Sequence, residues 1–296
     1  MFFGIIAGLL SACLMSGSFI LSRAFIRKYG DPVRLAVFSQ IAMGIGGAVM
    51  LIPGILCIGY PASGRFYLYL AGEILFFLIG QTSFFMMIKK VEASRAASLL
   101  GTKILSLALL ATLLGDPVMP MQWAAVLLCA VAAVGMNLSG IRISAGSFFW
   151  LLAAVTFYAL CDICITGMML LMPGGSMIVN ALGVTAICFT SLGIAVLPAL
   201  WKYPMRGREL LDAVPYGLFY YLSLIFLMAS FAALGVVFGG IIQAGRGIIS
   251  VVLGFLLLRM GIDKSEPPAS RRMWIRRLCM AVLMLAAMVM YTLSGR

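Results

Sequence analysis

Ten times along this chain a run of about 20 mostly apolar residues is closed by a short segment of charge, glycine or proline. A helix rising 1.5 Å per residue needs about 20 residues to cross a hydrocarbon core of about 30 Å. Inside lipid, only a helix or a closed barrel satisfies its own backbone polar groups. The runs predict helices over about 2–22, 33–54, 66–88, 96–114, 120–138, 147–171, 176–200, 214–234, 239–258 and 273–293. A polar stretch at 139–146 divides the first five from the second five, and the narrowest division falls at 234–239. The chain therefore reads as an all-α integral membrane protein with ten transmembrane helices. No basic residue precedes the first run, so it is expected to be an uncleaved span rather than a secretory signal.

Composition excludes the soluble alternative. Of 296 residues, 64% are hydrophobic and 10% charged, whereas a soluble domain carries about a quarter charged residues. The formal charge of +12 does not point to nucleic acid, because the basic residues sit in short segments between apolar runs. After helices one, three, five, seven and nine come 17 of them: Arg23, Arg27, Lys28, Arg34, then Lys89, Lys90, Arg95, then Arg142, then Lys202, Arg206, Arg208, then Arg259, Lys264, Arg271, Arg272, Arg276 and Arg277. The opposite side has only Arg65 and Arg296. The positive-inside rule makes the first group cytoplasmic and places both termini outside. The lipid bilayer is the expected partner, and the sequence carries no signal for or against a homo-oligomer.

Catalysis has little to work with. The chain has no histidine, which removes the usual metal ligand and general base, and no Walker A motif for nucleotide hydrolysis. The seven cysteines lie mostly inside apolar runs. Cys161 and Cys164 have the spacing of redox and zinc sites but no second pair or histidine, so they read as small packing residues. No cofactor, metal or enzymatic activity is expected.

Two stretches resemble the halves of the drug/metabolite transporter superfamily, in particular its EamA-type members. Ser94-Arg95-Ala96 opens the fourth helix, Gly115-Asp116 forms the turn after it, and Pro120-Met121-Gln122-Trp123 starts the fifth. Ser16-Gly17-Ser18-Phe19 is similar to a patch of the family's first helix, without its tryptophan. The second half repeats the plan: 148–168 lies over 6–26, and 216–258 over 71–114 with a short gap. Lys103-Ile104 stands where many members have Glu-Pro, and the charge after helix one points to an orientation opposite to the common one. The resemblance implies an inverted 5+5 repeat, with units 1–140 and 141–296, a substrate site near the midplane and alternating access. It implies a secondary transporter of a small polar, anionic or zwitterionic metabolite in the plasma (bacterial inner) membrane. The alternative on the same fold is a flippase for lipid head groups or lipid phosphates.

Four ionisable residues fall inside predicted spans: Glu73, Lys103, Asp162 and Arg246. Each costs roughly 2.5–3.5 kcal/mol near the bilayer centre, so such groups face a partner or a wet cavity. Lys103 lies thirteen residues before Asp116, and Arg246 thirteen before Arg259, near-equivalent places on helices four and nine. As substrate ligands they would face each other across the midplane and hold an anionic group, arginine as a fork and lysine as a point charge. As structural charges they would pair with Glu73 and Asp162. Gly245 and Gly247 leave bare backbone beside Arg246, and Gln81 belongs to a polar patch in helix three, so all three are candidate substrate contacts. Glu73 and Asp162 are the candidates for proton coupling, with Glu73 expected near interfacial depth.

Overall fold

The computed structural model describes residues 1–58, 61, 63–91, 96, 99–115, 118–135, 144–173, 176–204, 206–247, 249, 252, 253, 256 and 271–294. Helix and no strand is found among them. The helices are α1 Phe2–Tyr29, α2 Pro32–Ile58, α3 Gly64–Ile88, α4 Lys103–Leu113, α5 Pro120–Gly135, α6 Ala145–Leu171, α7 Met177–Ala195, α8 Gly207–Leu234, α9 Val236–Ala244 and α10 Arg271–Ser294. Of these, α1, α2, α3, α6, α7 and α8 are long and apolar enough to cross a membrane, with mean hydropathies of 1.6 to 2.1. The described parts of α4, α5 and α10 carry shorter apolar helices. The expected division at 139–146 lies mostly outside the described residues, as does much of the expected ninth run beyond 247.

Local chemistry moves several expected boundaries. The first helix does not stop at residue 22. It carries Arg23, Arg27 and Lys28 on its last turns and ends only at Gly30, whose φ of 73° lets its N–H close on the Ile26 carbonyl. Long basic side chains are good helix formers and favour the carboxyl end of the helix dipole, so this charge extends the helix instead of breaking it. One residue later α2 begins. The Asp31 carboxylate accepts from the N–H groups of Val33 and Arg34 at 3.0 and 3.1 Å, with Pro32 in the first helical place, where its missing N–H costs nothing. Ser144 and Ser176 cap α6 and α7 in the same manner. The division expected at 234–239 is a single residue, Gly235, with φ of 82°. The helix before it starts at Gly207 rather than at 214.

Packing joins early helices to late ones. The broadest contacts are α1 with α8, α3 with α6, α2 with α7 and α5 with α10, and α4 lies against α9. Where α2 meets α7, a Cβ placed on Gly44 would come within 2.7 Å of the Gly193 Cα, and one on Gly193 within 2.8 Å of the Gly44 Cα. The two backbones touch there, the use of glycine that lets helices associate in lipid without a hydrophobic driving force. Phe77 of α3 packs edge-on against Tyr158, Phe189 and Tyr220, its ring centre 5.6–6.0 Å from theirs.

Ion pairs tie one end of the bundle. Lys28 meets Asp212 at 2.5 Å, and Glu209 receives Arg34 at 2.7 Å and Arg206 at 3.4 Å. The Tyr29 hydroxyl also donates to Asp212, at 2.5 Å. The basic segments after α1 and after α7 thus lie side by side at the same end of the molecule, as the alternation of loop charge requires.

Candidate functional site

The site grows from the carboxyl end of α9 and the amino end of α4. The α9 helix closes at Gly245, and Arg246 follows directly. Lys103 is the first residue of α4, immediately after a 3-10 turn at Leu100–Thr102. Both cations therefore stand at breaks in helix geometry, where backbone groups are released from the regular ladder.

One face of α1 holds Arg246. The Ser16 hydroxyl lies 3.0 Å from the Arg246 carbonyl and 2.7 Å from that of Ala12. The guanidinium donates to the Met15 sulfur at 2.9 Å and sits 5.7 Å from the centre of the Phe19 ring. Met15 and Phe19 are four residues apart, so one helical face presents both to the arginine. Ser16-Gly17-Ser18-Phe19 drew attention to this stretch as a motif, but nothing in the spacing announced that it would cradle Arg246. The cation–π and sulfur contacts leave the planar fork anchored by soft, polarisable groups.

Lys103 has a different neighbour. Its ammonium lies 2.5 Å from the Asp162 carboxylate of α6, and both side chains are buried. The Asp162 carbonyl accepts from the Thr166 hydroxyl at 2.8 Å, one turn further along α6. Of the two alternatives open in the sequence, the ion pair is the arrangement found for Lys103.

Arg246, Lys103 and Asp162 line one narrow internal cavity of about 30 Å³, smaller than the usual small-molecule site. Its wall is contributed by α1, α3, α4, α6, α7, α8 and the α9 end, with Phe19, Phe77, Tyr158, Phe189 and Tyr220 as the aromatic surface and Thr185 and Gln243 as neutral polar groups. Met15, Thr185 and Gln243 are lining residues that sequence reasoning passed over, because isolated residues of these types are common in apolar helices.

The other sequence candidates fall beside the cavity. Gln81 donates to the Tyr216 hydroxyl at 2.9 Å and accepts from Gln40, which joins α2, α3 and α8 in the core. Gly245 and Gly247 are buried on either side of Arg246 but do not line the cavity. Glu73 is fully buried, on a helix that packs closely against α6. It sits behind the lining thiol of Cys161, which donates to Glu73 Oε1 at 3.8 Å, while Oε2 has no hydrogen-bond partner among the described residues. Cys161 and Cys164 are unbonded thiols one turn apart on α6.

Apolar helices of spanning length around an internal cavity with buried charge define a multi-pass membrane protein. Residues 2–138 match the model of the EamA-like transporter family. That stretch is similar to the EamA-like transporters, a family within the drug/metabolite transporter superfamily. A solved crystal structure of another protein is similar over 98% of this chain and 97% of its own, with a TM-score of 0.64 at 16% identity. At that identity the likeness concerns the fold alone. No curated protein matches the sequence.

Proposed function

We infer that the chain is a secondary transporter that carries a small polar, anionic or zwitterionic metabolite by alternating access. One observation carries this reading: an internal cavity built from early and late helices alike, with Arg246, Lys103 and Asp162 buried in its wall. Charge so placed is expensive, and in membrane proteins it marks substrate or ion pathways. Arg246 is the principal anion contact. Lys103 adds positive charge beside it, and Gly245 and Gly247 give the backbone room. Asp162 and Glu73 are the groups available for proton coupling.

In this reading the fold is ten spans in an inverted 5+5 repeat, with units 1–140 and 141–296. The packing supports it. Relabelling each helix of one unit as its counterpart in the other turns the α1–α8 contact into α6–α3, and leaves α2–α7, α4–α9 and α5–α10 as themselves. Both extensive pairings and their images are present, as a two-fold axis in the membrane plane requires.

Two experiments test the function and its frame. In a thermal-shift screen of anionic metabolites, at least one compound is expected to stabilise the purified protein and then to show saturable, counterflow-stimulated uptake into proteoliposomes. Uptake that stays linear in concentration and ignores internal substrate would rule out a carrier. For orientation in the bacterial inner membrane, a cysteine replacing the exposed Arg206 should label only from the cytoplasm, and a reporter fused after Arg296 should respond outside. A cytoplasmic carboxyl terminus would sink the orientation, and equal exposure of the two sites would sink the span count.

A further inference from the structure

The cavity of about 30 Å³ has room for only a water or two, so a substrate enters after one end of the molecule parts. The two ends are held by different chemistry. Glu209 and Asp212 stand three residues apart at the start of α8 and share one of its faces. There α8 meets the last turn of α1 and the first turn of α2, which bring Lys28, Tyr29 and Arg34. Acids at the amino end of one helix and bases at the carboxyl end of another also complement the two helix dipoles. Glu209 is only 6% exposed and takes both Arg34 and Arg206, so its pairs are better shielded than an ordinary surface bridge. The same face of α8 leads inward from Asp212 to Tyr216 and Tyr220, in steps of four residues. Tyr216 is fully buried under its bond from Gln81 of α3, and Tyr220 lines the cavity. About 12 Å of helix separates Asp212 from that wall.

The opposite end lacks this chemistry. The repeat that sets 148–168 over 6–26 and 216–258 over 71–114, carried a few residues further, sets Leu170 over Lys28 and Tyr67 over Asp212. Among the described residues no ion pair joins α3 to α6 at that end. The Tyr69 ring covers Gly167 instead, so closely that an added Cβ would come within 2.9 Å of it. We propose that Glu209 and Asp212 form a charge latch that shuts the cavity at the basic end. This end then opens by breaking ion pairs between the two units, while the far end opens by parting apolar surfaces. The latch deepens the alternating-access reading and rests on it. Dissolved salt weakens the ionic end and leaves the apolar one alone.

Native thiols report the opening. Cys161 is buried in the cavity wall, whereas Cys129 of α5 is fully buried outside it. The full-length protein in detergent is treated with sulfonatoethyl methanethiosulfonate, a water-soluble anionic thiol reagent, and each cysteine is followed by peptide mass spectrometry. Glu209→Gln combined with Asp212→Asn is expected to speed modification of Cys161 about tenfold or more, as the open population grows, while Cys129 stays unreactive. Raising sodium chloride from about 0.1 M to about 1 M should speed Cys161 in the wild type and leave the neutral variant unmoved. The latch stands only if both charge removal and salt move Cys161. An effect of charge removal without one of salt means that shape closes this end, and an effect of salt without one of charge removal means that other ions do; either overturns the proposal. If Cys129 reacts too, the variant has lost its fold and the salt series on the wild type decides alone: a rise at Cys161 upholds the latch and a flat rate overturns it. Labelling needs no substrate, so a flat rate overturns the latch without touching the carrier. Uptake without counterflow overturns the carrier reading whatever Cys161 does.

Discussion

Arg246→Ala is expected to reduce uptake into proteoliposomes to background while the purified protein keeps its yield and its elution profile. Removing one side of a buried, charge-assisted contact costs about 2 kcal/mol or more, roughly 30-fold in affinity. The guanidinium touches Met15 and Phe19 and lines the cavity, so under the proposed function truncation removes the principal substrate contact. Arg246→Lys is the sharper probe. It keeps the charge but replaces a rigid two-pronged donor with a hydrated point charge, and uptake should still fall by about tenfold or more. Uptake and melting temperature are read on the same preparations. Full uptake by Arg246→Ala would remove Arg246 from the binding site.

The second large effect concerns stability and runs through Lys103. Lys103→Ala leaves the Asp162 carboxylate buried without its cation, which costs about 3–5 kcal/mol. Several such units are a large part of the total stability of a folded chain, so melting in detergent should drop sharply. Removing both charges together, as Lys103→Met with Asp162→Asn, should recover most of the loss, since replacing a buried pair by neutral groups is often near neutral. The interaction is measured as the difference between the double variant and the two single ones. If Lys103→Ala melts like the wild type, the 2.5 Å pair is not holding α4 to α6. The opposite signatures expected of Arg246 and Lys103, one inactive but stable and the other unstable, separate two cations that a sequence presents as equivalents.

That equivalence shows where reading residues along a line stops. Lys103 and Arg246 occupy matching places thirteen residues before a charged turn residue. The match was legible, and both do line the same cavity. Their partners were not. Asp162 is 59 residues from Lys103 and Met15 is 231 from Arg246, separations at which only helix packing decides who meets whom. Gln81 shows the same limit from the other side. Its polar patch suggested a cavity wall, but the arrangement of α2, α3 and α8 consumed its hydrogen bonds on Gln40 and Tyr216.

Lipid explains what the sequence determined alone. A helix in a bilayer must satisfy its own backbone, so hydropathy and length marked the long spans α1, α2, α3, α6, α7 and α8 without any knowledge of their neighbours. Loop charge likewise carried the alternation of faces, and the basic segments after α1 and α7 indeed share one end of the bundle. Exact ends depended on single residues with local chemistry, such as Gly30 and Gly235 with their positive φ. Tertiary structure alone decided the rest: that α1 packs on α8, that Gly44 and Gly193 let α2 and α7 touch, and that Asp162 meets Lys103. Between helices already in lipid, association rests on close packing and a few polar contacts. Those depend on shape, which apolar periodicity does not encode.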